Sequence, residues 1–398
     1  MSDQPTRRAV LAASGALGAF AVAGVTPAEV RAQSDQPAGD LEALLSDLPD
    51  NWGRWGDDDE LGAFNFLGSE EAFEGLVTAA RSDPSSLQTF TLQVSMSGEV
   101  DRDPIFPTRT VARRENVQDA RSYEEGEAEP LAGGLKFTDD WFLNQLYPQG
   151  STHVDAPGHA WYGDQVYNGY DESVTAETKE FDEPLQSCEG EEVTETRGTA
   201  RADISQVAEH GIVGRGVLLD VGRLKGSAKG DRLAPNECVT LEDLRSAADE
   251  QGVELRKRDV LLVRTGSAAR ARDDDPAQEW APLEEPGLCF SEELVHWAHE
   301  MELPVVGGDT LSVEKNVQII DGEEYLVPLH GAFHRDLGMP FMEALWLEDL
   351  AAACADDGIW EFMFAGAPLN IERASGGIIN PVVVKPSRPW TAEEQSRD

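Results

Sequence analysis

The chain has 398 residues and a formal charge of −43, with 75 acidic side chains against 32 basic ones. Such a surface repels phosphate, which excludes nucleic acid and anionic membranes as partners of the bulk surface. A hydrophobic content of 40% and nine tryptophans exclude a disordered chain and leave core enough for one large domain or two smaller ones.

The carboxylate excess resembles that of proteins from salt-loving microorganisms, where high salt screens the repulsion between crowded surface charges. Stability is therefore expected to rise with salt. Cys188, Cys238, Cys289 and Cys354 are widely spaced and contain no CxxC pair. They read as buried small side chains, with a single disulfide left open for an exported protein.

In chain order, Arg7-Arg8, the small apolar run Ala12 to Val25 and the ending Val30-Arg31-Ala32 look like a twin-arginine export signal over residues 1–32. The run is short of the roughly 20 residues that span a bilayer. If left uncleaved it would serve as a membrane anchor. Residues 33–50 read as an acidic linker with a short helix around Leu41 to Leu45. Ser69 to Ala80 repeats apolar residues at helical intervals behind Ser69 as N-cap, and Thr89 to Val94 alternates as a strand. From Asp101 to Gly134 charge, glycine and proline predict a long surface loop or lid.

The stretch Gln149 to His159 gathers two of the seven histidines, a carboxylate and a carboxamide. In an extended segment His153 and Asp155 project from one face, and a nitrogen beside an anionic oxygen suits zinc, manganese or iron(II). Pro157 and Gly158 break the strand and can return His159 over the same point, where imidazole suits proton transfer. Trp161, Tyr162, Tyr167 and Tyr170 follow around an Asn-Gly turn, as turn packing or as a pocket for an aromatic substrate.

Asp171 to Thr199 is acidic and reads as a solvated insertion. Beyond it, helices over Asp203 to His210, Leu241 to Gln251 and Ser291 to Met301 alternate with continuous apolar strands at Gly216 to Val221, Asp259 to Thr265 and Pro304 to Asp309. That alternation predicts an α/β protein with a protected sheet. Asp309, at a strand end, has the better claim to support a site than Glu314. His296 and His299 read as surface residues.

The Gln149–His159 stretch resembles the signature His-x-Gly-Thr-His-x-Asp-x-Pro-x-His of the metal-dependent cyclase family, which includes bacterial kynurenine formamidases and isatin hydrolases. His153, Asp155, Pro157 and His159 fall on the pattern, and Gln149 stands where the formamidases place a further histidine ligand. By the same resemblance, His330 in Pro328-Leu329-His330 and Glu343 complete the metal site; spacing alone makes His334 an equal candidate. Trp52 and Trp55 match a segment near the pocket in a longer branch of the family. The resemblance implies a swivelling β/β/α fold with a mixed sheet core over residues 51–388, ahead of a polar tail at 389–398, and a homo-oligomer.

It further implies a hydrolase that opens an amide, formamide or cyclic amide or ester bond. One or two zinc or manganese ions would be held by His153, Asp155, Gln149, His330 and Glu343, with His159 as general acid and base. Trp52, Trp55, Trp161, Tyr162 and Asp309 would line the pocket for a small-molecule substrate. Partner and place would be the twin-arginine export machinery and the cell exterior. The rival is a binding protein on the same scaffold. His159 speaks against it, since capture needs no base.

Overall fold

Unbroken apolar runs such as Val260-Leu261-Leu262-Val263 favour strands buried on both faces, and all four residues are buried. The computed structural model describes residues 36–81, 84–100, 102–103, 106, 109–187, 190–226, 229–275 and 281–387. The twin-arginine segment, Cys188 and the 389–398 tail lie outside them.

One mixed sheet organises the chain. Its strands are β1 (Gln88–Thr91), β2 (His153–Asp155), β3 (Ile212–Asp220), β4 (Val260–Arg264), β5 (Val306–Gly308), β6 (Phe341–Glu343), β7 (Glu361–Gly366), β8 (Gly376–Ile378) and β9 (Val382–Lys385), in the order β1-β9-β7-β3-β4-β5-β6-β2-β8. β3 to β6 are parallel, and the strands on either side run antiparallel. This is the α/β fold with a mixed sheet core that the sequence predicts.

Alternate residues divide between two cores. Val217, Leu219, Leu261, Val263 and Phe341 face one that includes Leu244, Leu294 and Phe333. Leu218, Val260, Leu262 and Met342 face another with Leu350, Phe362 and Phe364. Each large apolar side chain so buried contributes roughly 1.5–3 kcal/mol.

Helices α1 (Ser69–Ala80), α2 (Leu241–Gln251), α3 (Glu292–Glu300) and α4 (Glu348–Asp357) fall close to the predicted runs. The N-cap of α1 is Gly68 rather than Ser69, and Glu71 Oε2 accepts from the Gly68 amide at 2.9 Å. Ser291 caps α3 through its hydroxyl.

The structure corrects or fills in four expectations. Residues 36–50 are not a free linker: Gly39 N donates to Glu324 O, and the helix Leu41–Leu45 buries Leu45 in the first core. The 101–134 region contains a strand at Arg114–Asn116, paired with Asp140–Phe142, and a helix at Ala120–Glu125. The acidic insertion is solvated as expected, exposed along most of its length, and takes the form of a long antiparallel hairpin, Glu177–Gln186 against Glu192–Gly198. Cys238 and Cys289 are joined in a disulfide that ties two short parallel strands together, and Cys354 is buried and free.

Candidate metal centre

The site lies where the parallel strands give way to the antiparallel end of the sheet. Within β2, Val154 turns into the second core, so strand alternation sends His153 and Asp155 to the opposite face. Glu343, at the end of β6, stands opposite His153, while Gly376 of β8 stands opposite Asp155. A Cβ at Gly376 would come within 3.1 Å of Asp155 Oδ1 and 2.8 Å of Gln149 Nε2. Glycine there leaves room for the carboxylate.

After β2 the chain turns and brings His159 Nε2 to 3.7 Å from Asp155 Oδ1. From a separate region, a helical turn at Pro328–His330 passes into a π-helical turn at Gly331–Asp336 and delivers His330 and His334. His330 Nε2 is 3.4 Å from Glu343 Oε1, and His153 Nε2 is 3.2 Å from Glu343 Oε2 and 3.4 Å from Asp155 Oδ1.

Partners on the far side fix two rings. His153 Nδ1 bonds Ser151 O at 2.8 Å, and His330 Nδ1 bonds Glu314 Oε1 at 2.7 Å. Each bond places a proton on Nδ1 and turns Nε2 toward the carboxylates, where it would carry a second proton unless a cation took that proton's place. Burial alone would lower the basicity of both rings, but Asp155 and Glu343 raise His153 to about 9, and Glu314 and Glu343 raise His330 to about 10. For His159 burial prevails over the pull of Asp155 and lowers it, leaving a free base at neutral pH.

The donor set fits a divalent cation. Both oxygens of Asp155 and Oε1 of Glu343 are buried with no hydrogen-bond partner, a costly arrangement for anions unless a positive charge neutralises them. Two trios bring their ligand atoms within 4.8 Å of one another: His153, Asp155 and Glu343, and Asp155, His159 and His330. Imidazole nitrogen with carboxylate oxygen is the donor chemistry of zinc, manganese and iron(II).

The remaining predicted residues fall elsewhere. Gln149 borders the cluster, beside the Gly376 position that Asp155 Oδ1 also flanks, and its amide donates to Ser375 Oγ at 3.0 Å. Trp52 donates to Arg335 O, and Tyr162 donates to Asp336. With Arg335 stacked on both rings, they brace the turn that carries His330 and His334. Trp55 packs edge-on against Phe66 on the first core. Trp161 is exposed and bonds Glu172. Asp309 accepts from Thr265 N, Thr265 Oγ1 and Gly266 N, pinning the end of β4 to that of β5.

Three residues escaped the sequence reading or were ranked too low in it. Glu314, placed second to Asp309, is the one that touches His330. His334, by spacing alone an equal candidate to His330, has its ring centre 4.5 Å from that of His330 and 5.9 Å from that of His159. Arg109 donates to Gln149 O at 2.6 Å and its charge acts on His159. Arg264 is engaged by Asp220 and Glu348, and Arg335 by Asp336.

Among known proteins, the Cyclase family model matches residues 95–315, more than half of the chain. That span contains His153, Asp155, His159 and Glu314 and ends before His330 and Glu343. A solved structure described as a novel cyclase is 30% identical, covers 85% of this chain and 100% of its own, and superposes with a TM-score of 0.67. An isatin hydrolase bound to the product analogue thioisatinate is 17% identical over 80% of this chain and 100% of its own, with a TM-score of 0.49. Isatin hydrolase A from Labrenzia aggregata is 17% identical over 76% and 94%, at 0.46. None of the curated proteins matches this chain.

Proposed function

Because the chain belongs to the cyclase family, we propose that it is a metal-dependent hydrolase opening an amide, formamide or cyclic amide or ester bond. The observation that carries this reading is the set of three buried, unpartnered oxygens on Asp155 and Glu343 facing the imidazole nitrogens. His153, Asp155 and Glu343 hold the cation, with His330 at its edge. A zinc or manganese ion there would supply Lewis acidity toward a carbonyl and toward water.

The chain's own residues supply the rest. Ser151 O and Glu314 hold the Nδ1 protons of His153 and His330 and aim their Nε2 atoms at the carboxylates, where the Nε2 protons would give way to a bound cation. His159 has the most open side chain of the three histidines paired with the carboxylates, 23% exposed. Its Nε2 takes the proton of the attacking water and returns it to the departing nitrogen or oxygen.

A second reading follows from the other trio, in which Asp155, His159 and His330 hold a second cation. Metal analysis of protein purified without chelator gives the stoichiometry. Activity on N-formylkynurenine, isatin and simple lactones, lost with chelator and restored by zinc or manganese, tests the hydrolase. Turnover untouched by chelation would sink it.

The amino-terminal twin-arginine segment supports export to the cell exterior, as a cleaved signal or an uncleaved anchor. Sequencing the mature N-terminus distinguishes the two. A homo-oligomer accords with the family resemblance, and light scattering tests it.

A further inference from the structure

Glu314 has no part in binding a cation directly, yet its surroundings are more constrained than those of the ligands. Its carboxylate is fully buried and receives four donors. Oε1 accepts the His330 backbone amide and His330 Nδ1, both at 2.7 Å. Oε2 accepts Leu329 N at 2.9 Å and Gln318 Nε2 at 3.2 Å. One side chain thereby fixes both the main chain and the ring of His330.

The backbone on either side is held in a conformation that β-branched residues rarely adopt. Val313, just before Glu314, has φ 56°, and Val327, just before Pro328–His330, has φ 42°. Left-handed valines persist only where the surroundings over-determine them. Here Leu288 N donates to Val313 O and Lys315 N donates to Leu288 O, so the strand at Gly287–Leu288 grips Glu314 from both sides. Gly287 permits that approach, since a Cβ there would lie 2.4 Å from the Glu314 carbonyl carbon.

We propose that Glu314 is the positioning residue of the centre: its carboxylate fixes the tautomer and orientation of His330, so that Nε2 stays aimed at Glu343 and a bound cation. The inference rests on the reading of the cluster as a metal centre. It gives Glu314 a role exerted through the His330 turn, where three of its four bonds end, the fourth coming from Gln318.

The test compares zinc affinity, by chelator competition, in wild type, Glu314→Gln, His330→Ala and the double variant. Glu314→Gln is expected to bind zinc 10- to 100-fold more weakly, to shift the visible absorption of the cobalt-loaded protein, and to keep its circular dichroism. In the His330→Ala background the same change should alter affinity less than twofold. Affinity unchanged in Glu314→Gln, or an undiminished loss in the double variant, overturns the inference and leaves the metal-centre reading standing. A wild type that takes up no metal overturns both. If Glu314→Gln fails to fold, proton–nitrogen NMR of the wild-type zinc protein decides: a His330 ring protonated at Nδ1 supports the inference, and one protonated at Nε2 overturns it.

Discussion

Glu343 stands directly across from His153 in the antiparallel pair of β6 and β2, with Oε2 and Nε2 3.2 Å apart. On the other flank of β2, Gly376 stands across from Asp155 and contributes no side chain. One neighbouring strand supplies an anion and the other supplies space. A three-residue strand thus presents its two functional groups to a single point.

His153→Ala and Asp155→Ala should each abolish metal binding, because each removes a ligand from the fully buried trio. Inductively coupled plasma analysis of the purified variants checks this. Full occupancy in either would remove the assignment.

His159→Ala should retain the cation held by His153, Asp155 and Glu343 and lose roughly 10²-fold or more in turnover, as expected when a general base is removed. Metal content and kcat measured on the same preparation separate the roles. Loss of one metal equivalent would make His159 a ligand.

Gln149→His should strengthen zinc binding, since Gln149 Nε2 already lies beside the same Gly376 position that Asp155 Oδ1 borders. An imidazole adds a better nitrogen donor at that corner. Calorimetric titration should show a tighter or additional site. Identical isotherms would mean that the new ring turns toward Ser375.

Asp309 gives a prediction about pH. Burial pushes its carboxyl up to about 6, against the pull of Arg264 and the Thr265 hydrogen bonds. The folded state therefore holds this proton more tightly than the unfolded chain, whose value is about 3.9. The associated stability is fully present below about pH 4 and is lost as pH rises through about 6. Asp309→Asn, which cannot ionise, should gain in melting temperature relative to wild type between pH 4 and 7. A constant difference across that range would show that Asp309 titrates normally.

Melting temperature should rise as KCl is increased from about 0.1 M to molar levels, because the screening length falls from about 10 Å to 3 Å around a chain of charge −43. Equal melting temperatures at both would remove the halophilic reading.

Much of this was legible beforehand. The sheet strands show as runs of valine and leucine, and the spacing of His153, Asp155 and His159 marked the centre. The resemblance named His330 and Glu343, and the fold brings His330 Nε2 to 3.4 Å from Glu343 Oε1. Spacing could not choose Glu314 over Asp309: both are acidic residues after β5, and only the fold shows that one carboxylate meets His330 and the other the end of β4. Trp52, Trp55 and Tyr162 misled for a related reason. Large rings beside glycines look the same whether they line a pocket or brace the turn behind it, and here Arg335 lies over Trp52 and Tyr162 while Trp55 packs edge-on against Phe66.

The pairing of Thr152 Oγ1 with Ala344 O spans 192 positions of sequence, and the proposed ligands His153, Asp155 and Glu343 lie on the two strands beside it. No fragment ending before β6 can contain the whole centre. The cation therefore has no preformed site on the unfolded chain, and its binding energy adds to the stability of the finished fold alone. Closing so long a loop is slow and entropically costly, which places β2, β6 and β8 among the late events of folding. Acquisition of metal would then report completion of the sheet, and a time course of metal uptake during refolding should lag behind the recovery of helical signal.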